Sequence, residues 1–111
     1  MSELSPEDQK LVTLARSSRV RNGAEAGAAV RDADGRTYAG TSVNLAAFAA
    51  SAFQAAVAAA VSSGAPGFEA GAVVSERAVQ PADYELANEL GIVIIHAGPD
   101  GNVYPDGAVP A

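Results

Sequence analysis

Ser51, Asp83, Glu85, Glu89 and His96 are the residues whose types could carry chemistry, and they allow two schemes. A serine, a histidine and a carboxylate are the parts of a hydrolytic triad, in which imidazole takes the hydroxyl proton and the carboxylate holds the ring in place. The carboxylates of "ADYELANEL" could instead hold a hard cation through oxygen. Each scheme has a plainer competitor. His96 is the chain's one histidine and ends the apolar run "IVIIHA", where a structural or exposed imidazole is expected. Residues on separate elements need not meet, so spacing gives the triad no support. Carboxylates early in a helix are favoured by its dipole alone, and a solvated face is expected for them. Arg16, Arg19 and Arg21 could bind a phosphate or an acidic partner, but cations near a helix end have the same electrostatic explanation. The glycines of "GAEAGAAV" are too loosely spaced for a phosphate loop.

The elements that would position these residues belong to one domain. A chain of 111 residues buries roughly two-thirds of the surface its unfolded form exposes. The apolar content is dominated by alanine, with three Phe, three Tyr and no Trp, so the core is numerous in residues but thin in volume. A formal charge of −6 gives no overall attraction for nucleic acid or anionic lipid. Cysteine is absent, which removes disulfides, thiolate nucleophiles and cysteine-based zinc sites. The stretch "MSELSPEDQK" lacks the basic flank and apolar segment of a secretory signal, and a cytoplasmic location is expected.

The stretch "NLAAFAASAFQAAVAAAV", from Asn44 to Val61, is the most unusual part of the chain. It is short for a membrane span, and alanine partitions weakly into lipid, so a buried helix is expected instead. Leu45, Phe48, Ala52, Ala55 and Ala59 fall on one helical face, with Val57 and Val61 one turn apart. Such a helix, apolar nearly all round, needs contact on more than one side.

Before it, Ser5 reads as an N-cap with Pro6 at the first helical position, opening a first helix. "EAGAAVRDADGRTYAGTSV" then predicts two strands joined at Asp34-Gly35. After it, "FEAGAVV" predicts a strand covered on both faces, Pro81 opens a third helix that stops at Gly91, and "IVIIHA" predicts a central strand. A short last strand is expected around Val103 and Tyr104, followed by a loose tail over 104–111. The order is α-β-β-α-β-α-β-β, a mixed sheet between helices in a single α/β domain spanning 1–111.

With "AGAAVRDADGRTYAGTSVN" as the hairpin, "AAVAAAVSSGA" ending the alanine-rich helix and "FEAGAVV" next, the chain resembles free-nucleoside cytidine deaminases over roughly residues 9 to 104. The resemblance implies a three-layer α/β/α fold with a five-stranded mixed sheet. In that superfamily zinc is held by the His or Cys of a (His/Cys)-Ala-Glu sequence and by both cysteines of Pro-Cys-x-x-Cys, while the Glu shuttles protons. Counted back from Gly64, the first motif falls on Ser51, Ala52 and Phe53. The second falls on Pro81, Ala82, Asp83, Tyr84 and Glu85. None of the chemistry-bearing residues is present at Ser51, Phe53, Ala82 or Glu85. The substrate-facing positions depart as well, at Ala24, Ser42 and Asn44. The alignment needs a gap of about two residues between Asn44 and Ser51.

The resemblance therefore implies the framework without its zinc, cofactor or deaminase activity, and Pro81, Gly27 and Gly40 are read as scaffold. The expected role is that of an inactive subunit acting through protein contacts, as a homo-oligomer, tetramer first and dimer second, or with an unidentified protein partner. The alternatives are a nucleoside or nucleobase sensor and a metal-free hydrolase. Phe53 is expected to pack inward and close the cavity that the relatives use.

Overall fold

The structure is a computed structural model that describes residues 4–105. Helix α1 (Pro6–Asn22) leads into strands β1 (Ala26–Asp32) and β2 (Thr37–Thr41). A small ribbon of β3 (Val43–Asn44) and β4 (Ala49–Ala50) precedes α2 (Ala52–Ser62), and β5 (Phe68–Ser75), α3 (Pro81–Leu90) and β6 (Ile94–Ala97) follow.

Each helix begins where its residues dictate. Ser5 Oγ accepts the Asp8 N–H at 3.1 Å, with Pro6 behind it, and the chain leaves α1 through Gly23 at φ 59°. The hairpin β1–β2 turns at Asp34 and Gly35, the latter at φ 85°. Asp32, fully buried, organises that turn by accepting from the Asp34 and Arg36 amides and the Tyr38 hydroxyl, each at 2.9 Å. Burial pushes the Asp32 carboxyl up, but those three donors more than offset it and hold it below its ordinary value.

The main sheet runs β2-β1-β5-β6, antiparallel except for the parallel β5–β6 pair. Strand alternation distributes its side chains between two helical layers. Ala29, Ala72, Val74 and Ala97 face Leu11, Val12 and Ala15 of α1. Ala28, Val30, Val73 and Ile94 face Phe53, Val57 and Ala60 of α2 and Ala87 of α3. The helices come close because glycines let them: a Cβ on Gly27 would overlap the Ala15 carbonyl oxygen of α1, and one on Gly40 would stand 2.5 Å from the Ala56 amide nitrogen of α2.

Three expectations require correction. The main sheet has four strands and a separate two-stranded ribbon, not five strands in one sheet, because Val103 makes only an isolated antiparallel bridge to Ala97. Strand β6 consequently lies at the edge of this sheet rather than at its centre. The second helix starts at Ala52, so Leu45 and Phe48 are not on its face; they lie in the ribbon's loop, 65% and 60% exposed. Helix propensity in the alanine run loses there to a capping box, in which Ser51 Oγ accepts the Gln54 N–H at 3.0 Å and Gln54 Oε1 accepts the Ser51 N–H at 2.9 Å.

Tyr104, expected at the junction of a short last strand and the loose tail, donates its amide to the His96 carbonyl at 2.9 Å and packs its ring against the imidazole. The rest of that expected tail, 106–111, lies outside the described residues. Among the described residues no helix is long and apolar enough to cross a membrane.

Candidate functional site

A cavity of about 450 Å³ opens where the N-termini of α2 and α3 converge on the C-terminal end of β5. Ligands in open α/β sheets gather at the carboxyl ends of strands, so this is the expected place for a site. Ser51 and Phe53 reach it from α2, Asp83 from α3, Ser75 from β5 and Ser42 from the segment after β2.

Two of these side chains bind each other. Ser51, the N-cap of α2, donates its hydroxyl to Asp83 Oδ1 at 2.7 Å while accepting the Gln54 amide. One hydroxyl thus caps α2 and ties it to the first turn of α3. Asp83 is 4% exposed, and burial pushes its carboxyl above the ordinary value, with the Ser51 hydrogen bond opposing. Phe53 is fully buried, the largest such side chain among the described residues, and its ring packs beside Gly71 of β5. It packs inward as expected and, with no exposure, adds no open surface to the cavity, whose volume lies toward the loop over 76–80.

The raised Asp83 carboxyl sets a pH dependence with a definite sign. The folded protein holds this proton above the pH at which the unfolded chain releases it, so the group's contribution is greatest in acid and is lost as pH rises through the folded value. Asp32 acts in the opposite direction, favouring the fold as pH rises. Subtracting the stability of Asp83→Asn from that of the parent at each pH isolates the first effect. The difference is expected to fall as pH rises from about 3.8 upward. A flat difference in urea titrations across that range would mean that Asp83 is not desolvated.

The mouth carries two ion pairs, Arg77 Nε to Glu25 Oε1 at 3.2 Å and Arg19 Nη2 to Glu76 Oε1 at 4.0 Å. The Arg77–Glu25 pair is largely exposed and the Arg19–Glu76 pair is long, with only its Glu76 side exposed, so both hold the loops weakly. Beneath them Ser75 Oγ donates to the Arg77 carbonyl at 2.7 Å and lies 2.9 Å from His96 Nε2. With the hydroxyl proton committed to that carbonyl, the imidazole is the donor in the second contact.

The triad of Ser51, His96 and a carboxylate is therefore not assembled: Ser51 meets Asp83, and His96 meets Ser75 instead. Ser42 lines the cavity, while Ala24 is half-buried and Asn44 exposed, both outside its lining. Ala82 and Glu85 are exposed on α3 and do not line it either, and Glu89 is also exposed. The three arginines do not converge: Arg16 donates to the Pro99 carbonyl at 2.9 Å, Arg19 to the Glu25 carbonyl at 3.1 Å, and Arg21 borders a separate shallow hollow. Ser75 and the Glu25–Arg77 pair were not singled out from the sequence. The one available signal was the position of Ser75, a polar residue directly after the apolar run from Ala70 to Val74.

The donor set does not fit zinc. A catalytic zinc takes three imidazole, thiolate or carboxylate ligands and leaves a position for water, whereas the Ser51 hydroxyl is spent on Gln54 and Asp83, and Ala82 has no donor atom. Among the described residues no group of three or more His, Cys, Asp or Glu side chains is placed to hold a metal ion.

A model of the family described as "cytidine deaminase-like" matches residues 4–101. Among solved structures, the cytidine deaminase from Burkholderia pseudomallei superposes with a TM-score of 0.76 at 24% identity, covering 91% of each chain. A single-site mutant of the cytidine deaminase from Mycobacterium tuberculosis gives 0.67 at 22% identity over 83% of this chain and 85% of that one. The cytidine deaminase from Mycobacterium leprae gives 0.67 at 19% identity, over 91% and 93%. No curated protein sequence gives a significant match.

Proposed function

This chain belongs to the cytidine deaminase-like family, and from that premise we propose that it is a zinc-free, non-deaminating cytoplasmic member that acts through association of its folded domains. The single observation that carries the proposal is the pair of replacements at the cavity. Phe53, fully buried, stands at the proton-shuttle position, and Ser51, locked to Asp83, stands at a ligand position. Deamination needs a metal-activated water and a placed acid/base, and an apolar ring with a capped hydroxyl supplies neither.

Association is the remaining use of the framework. The exposed Leu45 and Phe48 precede α2, and Val61 near its end is 58% exposed, so apolar surface flanks this helix at both ends. Closed two-fold symmetry is the usual solution for such surfaces, with a tetramer favoured and a dimer second. Light scattering at micromolar concentration is expected to give about four times, or failing that twice, the chain mass of 11.1 kDa. A mass of one chain would remove the homo-oligomeric role.

The cavity favours a second reading, a nucleoside or nucleobase sensor that binds without converting. Its volume of about 450 Å³ lies within the range of roughly 300–1,000 Å³ typical of small-ligand pockets. Thermal unfolding with millimolar cytidine or uridine separates the two readings. A ligand at 100 times its dissociation constant adds about 2.7 kcal/mol, and no shift is expected on the first reading.

A further inference from the structure

The floor of the cavity differs from its mouth. At the mouth the charges cancel in pairs, Arg19 of α1 with Glu76 of the β5–α3 loop, and Arg77 of that loop with Glu25 of the α1–β1 loop. Helix α2 adds no charge. The one ionisable side chain on the floor is Asp83, 4% exposed, with a single hydrogen bond from Ser51 and no cation within ion-pair distance among the described residues. Ser42 Oγ, which also lines the cavity, is buried and has no hydrogen-bond partner among the described residues.

We infer that this floor is a counter-ion site for a small organic cation bearing an amidinium or primary ammonium group, with Asp83 as its carboxylate and Ser42 as an added acceptor. The inference rests on the zinc-free reading of the cavity given above, since a bound metal would occupy the same space.

Four features support a cation over an anion or a neutral guest. A desolvated carboxylate with one hydrogen bond and no cation beside it is costly, and a cation able to donate two hydrogen bonds is the group that removes the cost. The capping box has used the Ser51 and Gln54 amides, so the start of α2 offers an anion at most those of Ala52 and Phe53. Asp83 lies in the first turn of α3, where the helix dipole favours its ionised form once a counter-ion has arrived. Val73 and Val79 add small apolar surfaces to the lining, with the fully buried Phe53 behind them. No covalent bond is made or broken: the cation enters and pairs with Asp83 in its ionised form.

Benzamidine, with neutral benzamide as its near-isostere, is the probe. On zinc-assayed protein, benzamidine at millimolar concentration is expected to raise the melting temperature while benzamide does not. Asp83→Asn should weaken benzamidine by at least about tenfold, as removal of one partner from a buried charge pair does, with far-UV circular dichroism unchanged. Should Asp83→Asn fail to fold, Ser42→Ala, which removes no cap, is expected to weaken benzamidine and leave benzamide without effect. Equal shifts with benzamide, undiminished binding by a folded Asp83→Asn, or no response to benzamidine would each overturn the inference. Zinc in the same preparation would defeat the zinc-free reading, whereas zinc-free protein that ignores benzamidine would defeat the cation site alone.

Discussion

Phe53→Ala is expected to destabilise the protein by about 3–5 kcal/mol, the loss typical of truncating a buried Phe. The ring has no solvent exposure, and its Cε1 lies 3.0 Å from where a Cβ on Gly71 would stand. The chain has few replacements for it. Of its three Phe residues, Phe48 is 60% exposed and Phe68 only half-buried, and the facing strands contribute mainly Ala and Val. Little surrounding bulk can move in to fill the void, so the cost should lie near the top of that range. Urea unfolding measures it through the midpoint, provided the slope is unchanged. A nearly neutral substitution would show that the ring is not packed as described and that the cavity extends into its place.

Gly27→Ala is expected to cost about 3 kcal/mol, at the upper end of ordinary overpacking. The added methyl would overlap the Ala15 carbonyl and stand 2.9 Å from the Arg19 amide nitrogen, so backbone of α1, and not the end of a flexible side chain, must yield. Moving α1 also moves Arg19, which donates to the Glu25 carbonyl beside the cavity mouth. A loss of stability below about 0.5 kcal/mol, the range of a featureless surface change, would mean that α1 lies farther from β1 than described.

Much of the framework was legible because its signals are local. Ser5 with Pro6, Asp34 with Gly35, and Pro81 with Gly91 each mark a boundary through a cap, a positive φ or a missing amide, and α1, the β1–β2 hairpin and α3 fall where those residues put them. The alanine run misled because propensity is uniform across it. Only the Ser51–Gln54 capping box selects Ala52 as the first helical residue, leaving the preceding residues to the ribbon. The position of "IVIIHA" in the sheet was not legible, since an apolar run reports burial but not which strands flank it.

The candidate site was legible as a set of replaced positions and not as an arrangement. Motif spacing points to Ala82 and Glu85 on α3, yet the residue that turns to Ser51 is Asp83 between them. Which face of α3 looks inward depends on how Pro81 seats the helix against β5, a tertiary matter on which the spacing of Pro81 to Glu85 is silent. The Ser75–His96 contact likewise needs β5 and β6 side by side, with Val73 in register with His96.

The central claim is that the cavity has lost metal-dependent deamination while the fold persists. Elemental analysis of protein purified without chelator and then dialysed against zinc, with cytidine turnover followed on the same sample, tests it most directly. Far less than one zinc per chain and no uridine formed above the uncatalysed rate are expected. About one zinc per chain together with turnover of cytidine would contradict it.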